Sequence, residues 1–217
     1  MAFLTTQRIR ILLASDSPAI LNPKTERVNN ACYEMGLGTE AFITSSDRTK
    51  QIRKHGDQVR IPLGQFGLLI TEEEIDLPLN ILAFISIKAS KKMTGLVNVS
   101  GFHVDPGFRG KLKFSVYNAG ADPIVLDVGK PLFPIWFYEL PEENADPYNG
   151  RHQGQLFITA DDVNRLQGEV ASPAALKKDL DDLRATVRQW KAAVIGAVIL
   201  FGGTFVATLL GLLNAKQ

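Results

Sequence analysis

The histidines and cysteines, the side chains whose spacing most plainly marks a metal or thiol site, are few and scattered. His55, His103 and His152 stand far apart, and Cys32 is the single cysteine. That excludes an intramolecular disulfide framework and a cysteine-rich zinc site, and it leaves no metal-ligand spacing. Asp105 precedes Pro106-Gly107, the residue types of a tight turn, so a turn explains it without any chemistry. Lys88-Ala89-Ser90-Lys91-Lys92 reads as a solvated lysine-rich loop. The chain has 217 residues, 24 basic and 23 acidic, with net charge +1. That balance gives no bulk reason to expect a nucleic-acid partner.

The elements that must position these residues are mostly strands. From Val59 onward short apolar runs alternate with turn signals. Phe66–Thr71, Ile81–Ile87, Leu96–Phe102, Lys111–Tyr117, Pro123–Val128 and Leu132–Leu140 are predicted strands. Leu112, Phe114 and Val116 alternate with Lys113, Ser115 and Tyr117, the pattern of a half-buried strand. Turns are predicted at Asp105-Pro106-Gly107, Asn118-Ala119-Gly120 and Val128-Gly129-Lys130. Thr5–Leu13 reads as a short helix, and Ala160–Leu166 as a small helix before a linker at 168–173. Regular short strands without a long intervening helix predict a mainly β sandwich or barrel.

The C-terminal part reads differently. Ser172-Pro173 starts a helix, with a capping hydroxyl followed by proline at the first helical position. Leu176, Leu180, Leu183, Val187 and Trp190 follow at alternating spacings of four and three, a heptad seam. Either an oligomeric stalk or one amphipathic helix fits it. Ala192–Leu213 holds no charged residue, and its length at about 1.5 Å per residue covers a hydrocarbon core of about 30 Å. Arg184, Arg188 and Lys191 flank its start, against Lys216 alone beyond its end. The expectation is a single C-terminal transmembrane helix with the preceding domain in the cytoplasm. The expected organisation is a β domain at 1–157, a short helix and linker at 158–171, a stalk at 172–191 and a transmembrane helix at 192–213.

Motifs in the β domain carry a resemblance. Phe102–Gly110 (FHVDPGFRG) followed by Lys111–Asn118 resembles the central motif of the dCTP deaminase and dUTPase superfamily. Leu21-Asn22-Pro23, Ala31–Gly38 (ACYEMGLG), Asp76-Leu77-Pro78, Ile124–Gly129, Leu132–Phe137 and the loop Tyr148–Gln155 resemble stretches of its deaminase branch, in order. The resemblance implies a distorted β jelly roll that forms a homotrimer, with nucleotide sites between subunits. It also implies metal-free chemistry, with no cofactor in the protein and Mg2+ carried only by the nucleotide phosphates.

The same resemblance assigns roles. The deaminases' general-base Glu falls at Ser115, and a serine hydroxyl is no general base near neutral pH. The phosphate loop falls at Lys88–Leu96, where Ala89 and Met93 replace a serine and an arginine, and lysine keeps only a point charge. The zinc deaminases' H-x-E and C-x-x-C pair is absent. In the dUTPase branch an Asp at the position of Asp105 orients the attacking water. Asp105 is therefore the catalytic candidate, and Lys88, Ser90, Lys91, Lys92, Arg109, Tyr148 and Gln153 are the nucleotide-binding candidates. The implied function is a membrane-tethered nucleotide binder or sensor without ordinary deamination. The alternatives are an active dUTP pyrophosphatase or dCTP deaminase, and a non-catalytic trimeric scaffold.

Overall fold

The structure, a computed structural model, describes residues 2–44, 50–166 and 173–214. The chain divides into two units, at 1–170 and 171–217.

The first unit is mainly β. Its strands are β1 (Ala2–Phe3), β2 (Ile20–Leu21), β3 (Val28–Asn29), β4 (Cys32–Ile43), β5 (Gln51–Ile52), β6 (Gln58–Ile61) and β7 (Phe66–Asp76). They continue with β8 (Ile81–Ile85), β9 (Leu96–Asn98), β10 (His103–Val104), β11 (Arg109–Asn118), β12 (Ile124–Asp127) and β13 (Pro131–Glu139). The helices are α1 (Thr6–Leu13), α2 (Ala89–Lys92) and α3 (Ala160–Leu166), with α4 (Pro173–Asn214) in the second unit. The main sheet runs β10-β8-β13-β4-β7-β11-β9, and β12 pairs with β6 separately.

β4 turns this sheet into two layers. Its first half pairs with β13 (Tyr33 opposite Ile135), and its second half pairs with β7 (Phe42 opposite Leu68). The layers close on a core in which Phe114 of β11 stacks on Phe133 of β13 at 4.0 Å between ring centroids. β11 shows why. Leu112, Phe114 and Val116 are buried toward that core. Lys113 and Ser115 face the other way and pair across the ladder with Ile70 and Leu68.

That second face carries its own smaller apolar cluster of Phe42, Leu68, Ile70, Ile158 and Val163.

α1 is the helix predicted at the N-terminus. The Thr5 hydroxyl accepts from Arg8 N–H at 3.4 Å, and Ile9 and Leu13 are buried. One expectation is corrected at Leu96–Phe102, where the chain leaves the sheet after Asn98 and re-enters at His103. Asn98 explains the break: its Oδ1 accepts from Ser100 N–H and O–H, a side-chain turn that competes with the ladder.

The transmembrane expectation finds no support in the described part of α4. Among the described residues, no helix is long and apolar enough to cross a membrane. The expected cap at Ser172, and the side chains of Leu176 and of 204–213, lie outside the described ones. Within α4, the seam residues Leu180, Leu183, Val187 and Trp190 are exposed.

Candidate functional site

Asp105 sits at the first corner of the turn that joins β10 to β11. Its carbonyl accepts from Phe108 N–H at 3.2 Å, and Gly107 takes φ +79°, the left-handed third position of a type II turn. Asp105 therefore does hold a turn, but its carboxylate remains half-exposed, with His103 Nε2 3.5 Å from Oδ1.

The loop after Pro147 is stapled onto this turn. Tyr148 N–H donates to Pro106 carbonyl at 2.9 Å, and the Tyr148 ring meets Phe108 edge-on at 5.7 Å. Gln153 grips the backbone on both sides of Phe108: Nε2 donates to Gly107 carbonyl and Oε1 accepts from Arg109 N–H, each at 2.8 Å. Gln155 then bridges to β11, exchanging bonds with Lys111 through its backbone carbonyl and side-chain amide. Glycine is needed at 110, where φ is +133° and a Cβ would lie 2.6 Å from Gln155 carbonyl oxygen.

Turn, loop, strand and α3 together line a cavity of about 370 Å³. Asp105, Ser115 and Tyr148 face it, with His103, Lys113, Arg151, His152 and Gln155. Asp162, Arg165 and Leu166 of α3 complete it. Lys113 Nζ donates to Asp162 Oδ2 at 2.5 Å, with both side chains largely buried. Burial works against the Asp162 charge, but hydrogen bonds from Lys113 and from Thr159 outweigh it and hold the carboxyl below its ordinary range. Lys113 is paired with Asp162 and Arg165 with Asp161 at 2.9 Å, while Arg151 is a third cation on these walls.

The other sequence candidates lie elsewhere. The Arg109 guanidinium is exposed, 3.6 Å from Glu74 and 3.9 Å from Asp76. Lys88 reaches Glu34 at 2.8 Å, Lys91 reaches Val125 carbonyl at 3.2 Å, and Lys92 reaches Ser86 Oγ at 2.6 Å. Ser90 is an exposed residue of α2. None of these five lines the cavity within one chain. Sequence reasoning missed Lys113, Arg151, Asp162 and Arg165. The period-two alternation puts Lys113 beside Ser115, which was a usable signal, but nothing local points to Asp162.

A buried polar cluster fixes the middle of the sheet. Arg27 pairs with Glu73, and its other nitrogen lies 2.8 Å from Gly129 carbonyl and 2.7 Å from Glu72. Glu73 also accepts from Tyr33 O–H at 3.1 Å and Gly36 N–H at 2.9 Å. Burial opposes the Arg27 charge, yet Glu73 and Glu72 hold the guanidinium above its ordinary value, while burial and Glu73 push the Tyr33 phenol well up.

Comparison with known proteins agrees with this fold. A family model described as dCTP deaminase-like matches residues 3–140. The dCTP deaminase of Pyrococcus horikoshii is 32% identical over 129 residues, 59% of this chain and 80% of that one. The dCTP deaminase of Pectobacterium atrosepticum is 28% identical over 173 residues, 69% of this chain and 86% of that one. Among solved structures, the 2'-deoxycytidine 5'-triphosphate deaminase of Agrobacterium tumefaciens superposes with a TM-score of 0.52 at 19% identity. That match covers 63% of this chain and 48% of that one, and shows a shared fold. The chain belongs to the dCTP deaminase-like family.

Proposed function

We propose that the chain binds a pyrimidine deoxynucleoside triphosphate in this cavity and does not deaminate dCTP. The observation that carries the reading is Ser115. It lies on the cavity wall where the family resemblance puts a general-base carboxylate, and its hydroxyl cannot take that proton. The lysines of Lys88–Lys92 lie outside the cavity of their own chain, which fits a site completed by a second copy in a homotrimer. Any Mg2+ enters on the nucleotide phosphates. Calorimetry with dCTP, dUTP and dTTP, followed by product analysis, tests the reading. It is overturned by turnover of dCTP with ammonia release, or by no binding.

A second reading is favoured by Asp105. Its carboxylate faces the cavity with His103 3.5 Å away, an arrangement able to orient a water toward a phosphate. This reading is a triphosphate pyrophosphohydrolase.

The membrane tether and cytoplasmic head are proposals supported by sequence alone: the uncharged run 192–213 and its basic N-terminal flank.

A further inference from the structure

The apolar seam of α4 is left open by its own chain. Leu180, Leu183, Val187 and Trp190 are exposed, Trp190 by 69%. Asp181, Asp182, Arg184 and Arg188 stand between them, also exposed, so hydrocarbon is a costly cover for this stretch. In heptad terms Leu180, Val187 and Val194 take position a, and Leu183 and Trp190 take position d. Val187, Trp190, Lys191 and Val194, with Ile195, frame an open apolar hollow on the helix. The first four are an a, the d after it, its e and the next a. Those are the four residues of the hole into which a parallel partner inserts its own d side chain.

The flanks choose the direction. Lys177, Arg184 and Lys191 occupy successive e positions. An antiparallel copy would set these cations against one another, because e then faces e. In a parallel copy e faces g, and positions 179, 186 and 193 hold Asp, Thr and Ala. Cation then never meets cation, and one such pair brings opposite signs together. Arg184 keeps only a loose contact of 3.7 Å with Asp181 of its own helix.

We propose that this seam is covered by the same helix of a second copy, parallel and in register, with each copy's Trp190 seated in the other's hollow. In that arrangement a meets a and d meets d, so Leu183 faces Leu183 and Trp190 faces Trp190. The pairing needs no ligand and stands apart from the nucleotide reading.

Cysteine cross-linking on the full chain tests it. Cys32, buried and free, is removed by Cys32→Ser. Leu183→Cys, Trp190→Cys, Asp182→Cys and Ala185→Cys are then made one at a time and oxidised mildly. Leu183→Cys and Trp190→Cys should each join two chains by a disulfide at least tenfold faster than Asp182→Cys and Ala185→Cys, which point away from the pair. Linkage at only one of the two seam positions marks an antiparallel or shifted pair and overturns the proposal. Equal linkage at all four positions, or none at the seam because lipid or a different protein covers it, overturns it too. Leu183→Asp should also slow linkage at Trp190→Cys at least fivefold, since one seam holds both positions. An unchanged rate there would show that the two do not belong to one interface.

Discussion

Arg27 and Glu73 form an ion pair with almost no access to water, their side chains 7% and 3% exposed. Every Glu73 oxygen is also bonded to Tyr33 or Gly36, so the pair is a fixed point between β4 and β7. Removing Arg27 strands the Glu73 charge, so Arg27→Met alone should cost about 3–5 kcal/mol in urea denaturation. Glu73→Leu alone should cost less, because Arg27 keeps Glu72 at 2.7 Å. The double variant should recover much of that loss, since two apolar side chains leave no buried charge. Additive losses would show that the pair is not coupled.

Gln153 was expected to touch nucleotide, but its amide is bonded to the backbone beside Phe108. Gln153→Ala should cost about 1 kcal/mol of stability. It should also raise the Kd for nucleotide, because Tyr148 is placed by the same loop. A variant with normal stability and weakened binding would make Gln153 a direct ligand contact instead.

Ammonia release from dCTP should stay at background with the wild-type chain. Any residual triphosphate hydrolysis should disappear in Asp105→Asn while nucleotide binding persists. Hydrolysis that survives this change would remove Asp105 from the chemistry.

The Asp162 carboxyl is held below its ordinary range, so its stabilising bonds are present above the unfolded pKa of about 3.9 and are lost as pH falls through the folded value. Wild type should exceed Asp162→Asn by about 2 kcal/mol, unchanged between pH 8 and pH 5. The two denaturation curves should converge only at more acid pH. A difference that shrinks between pH 7 and pH 5 would place the titration on another group.

If the uncharged C-terminal run tethers the protein, the full chain should sediment with membranes and be released by detergent rather than salt. A chain ending at residue 191 should stay in the supernatant. Soluble full-length protein would end the tether reading.

Much of the fold is legible where one strand keeps one environment. β11 alternates cleanly because one face meets the main core along its length. β4 does not: CYEMGLGTEAFI is buried almost throughout and changes partner near Gly36, so its period is broken and no strand was predicted there. The turn holding Asp105 was readable from Asp-Pro-Gly, and Ser115 from its place on β11. Asp162 was not, because its partner Lys113 is 49 positions away and neither neighbourhood advertises a charge pair. The Arg27 cluster was hidden for the same reason: Glu72, Glu73 and Glu74 look alike in sequence, and only pairing with β4 buries the middle one.

The pairing of β1 with β13 sets a timetable for synthesis. Ala2 lies opposite Glu139 and Phe3 opposite Tyr138. β1 thus waits about 135 residues for its neighbour, on the order of ten seconds or more of translation. Until then the nascent chain carries Phe3, Leu4 and the open edge of β8 without cover. Contacts this distant in sequence make closure slow, so the late step in folding is the arrival of β13. A stalled chain ending before residue 131 should be a chaperone client, whereas one ending after Leu140 has every strand of the sheet in hand.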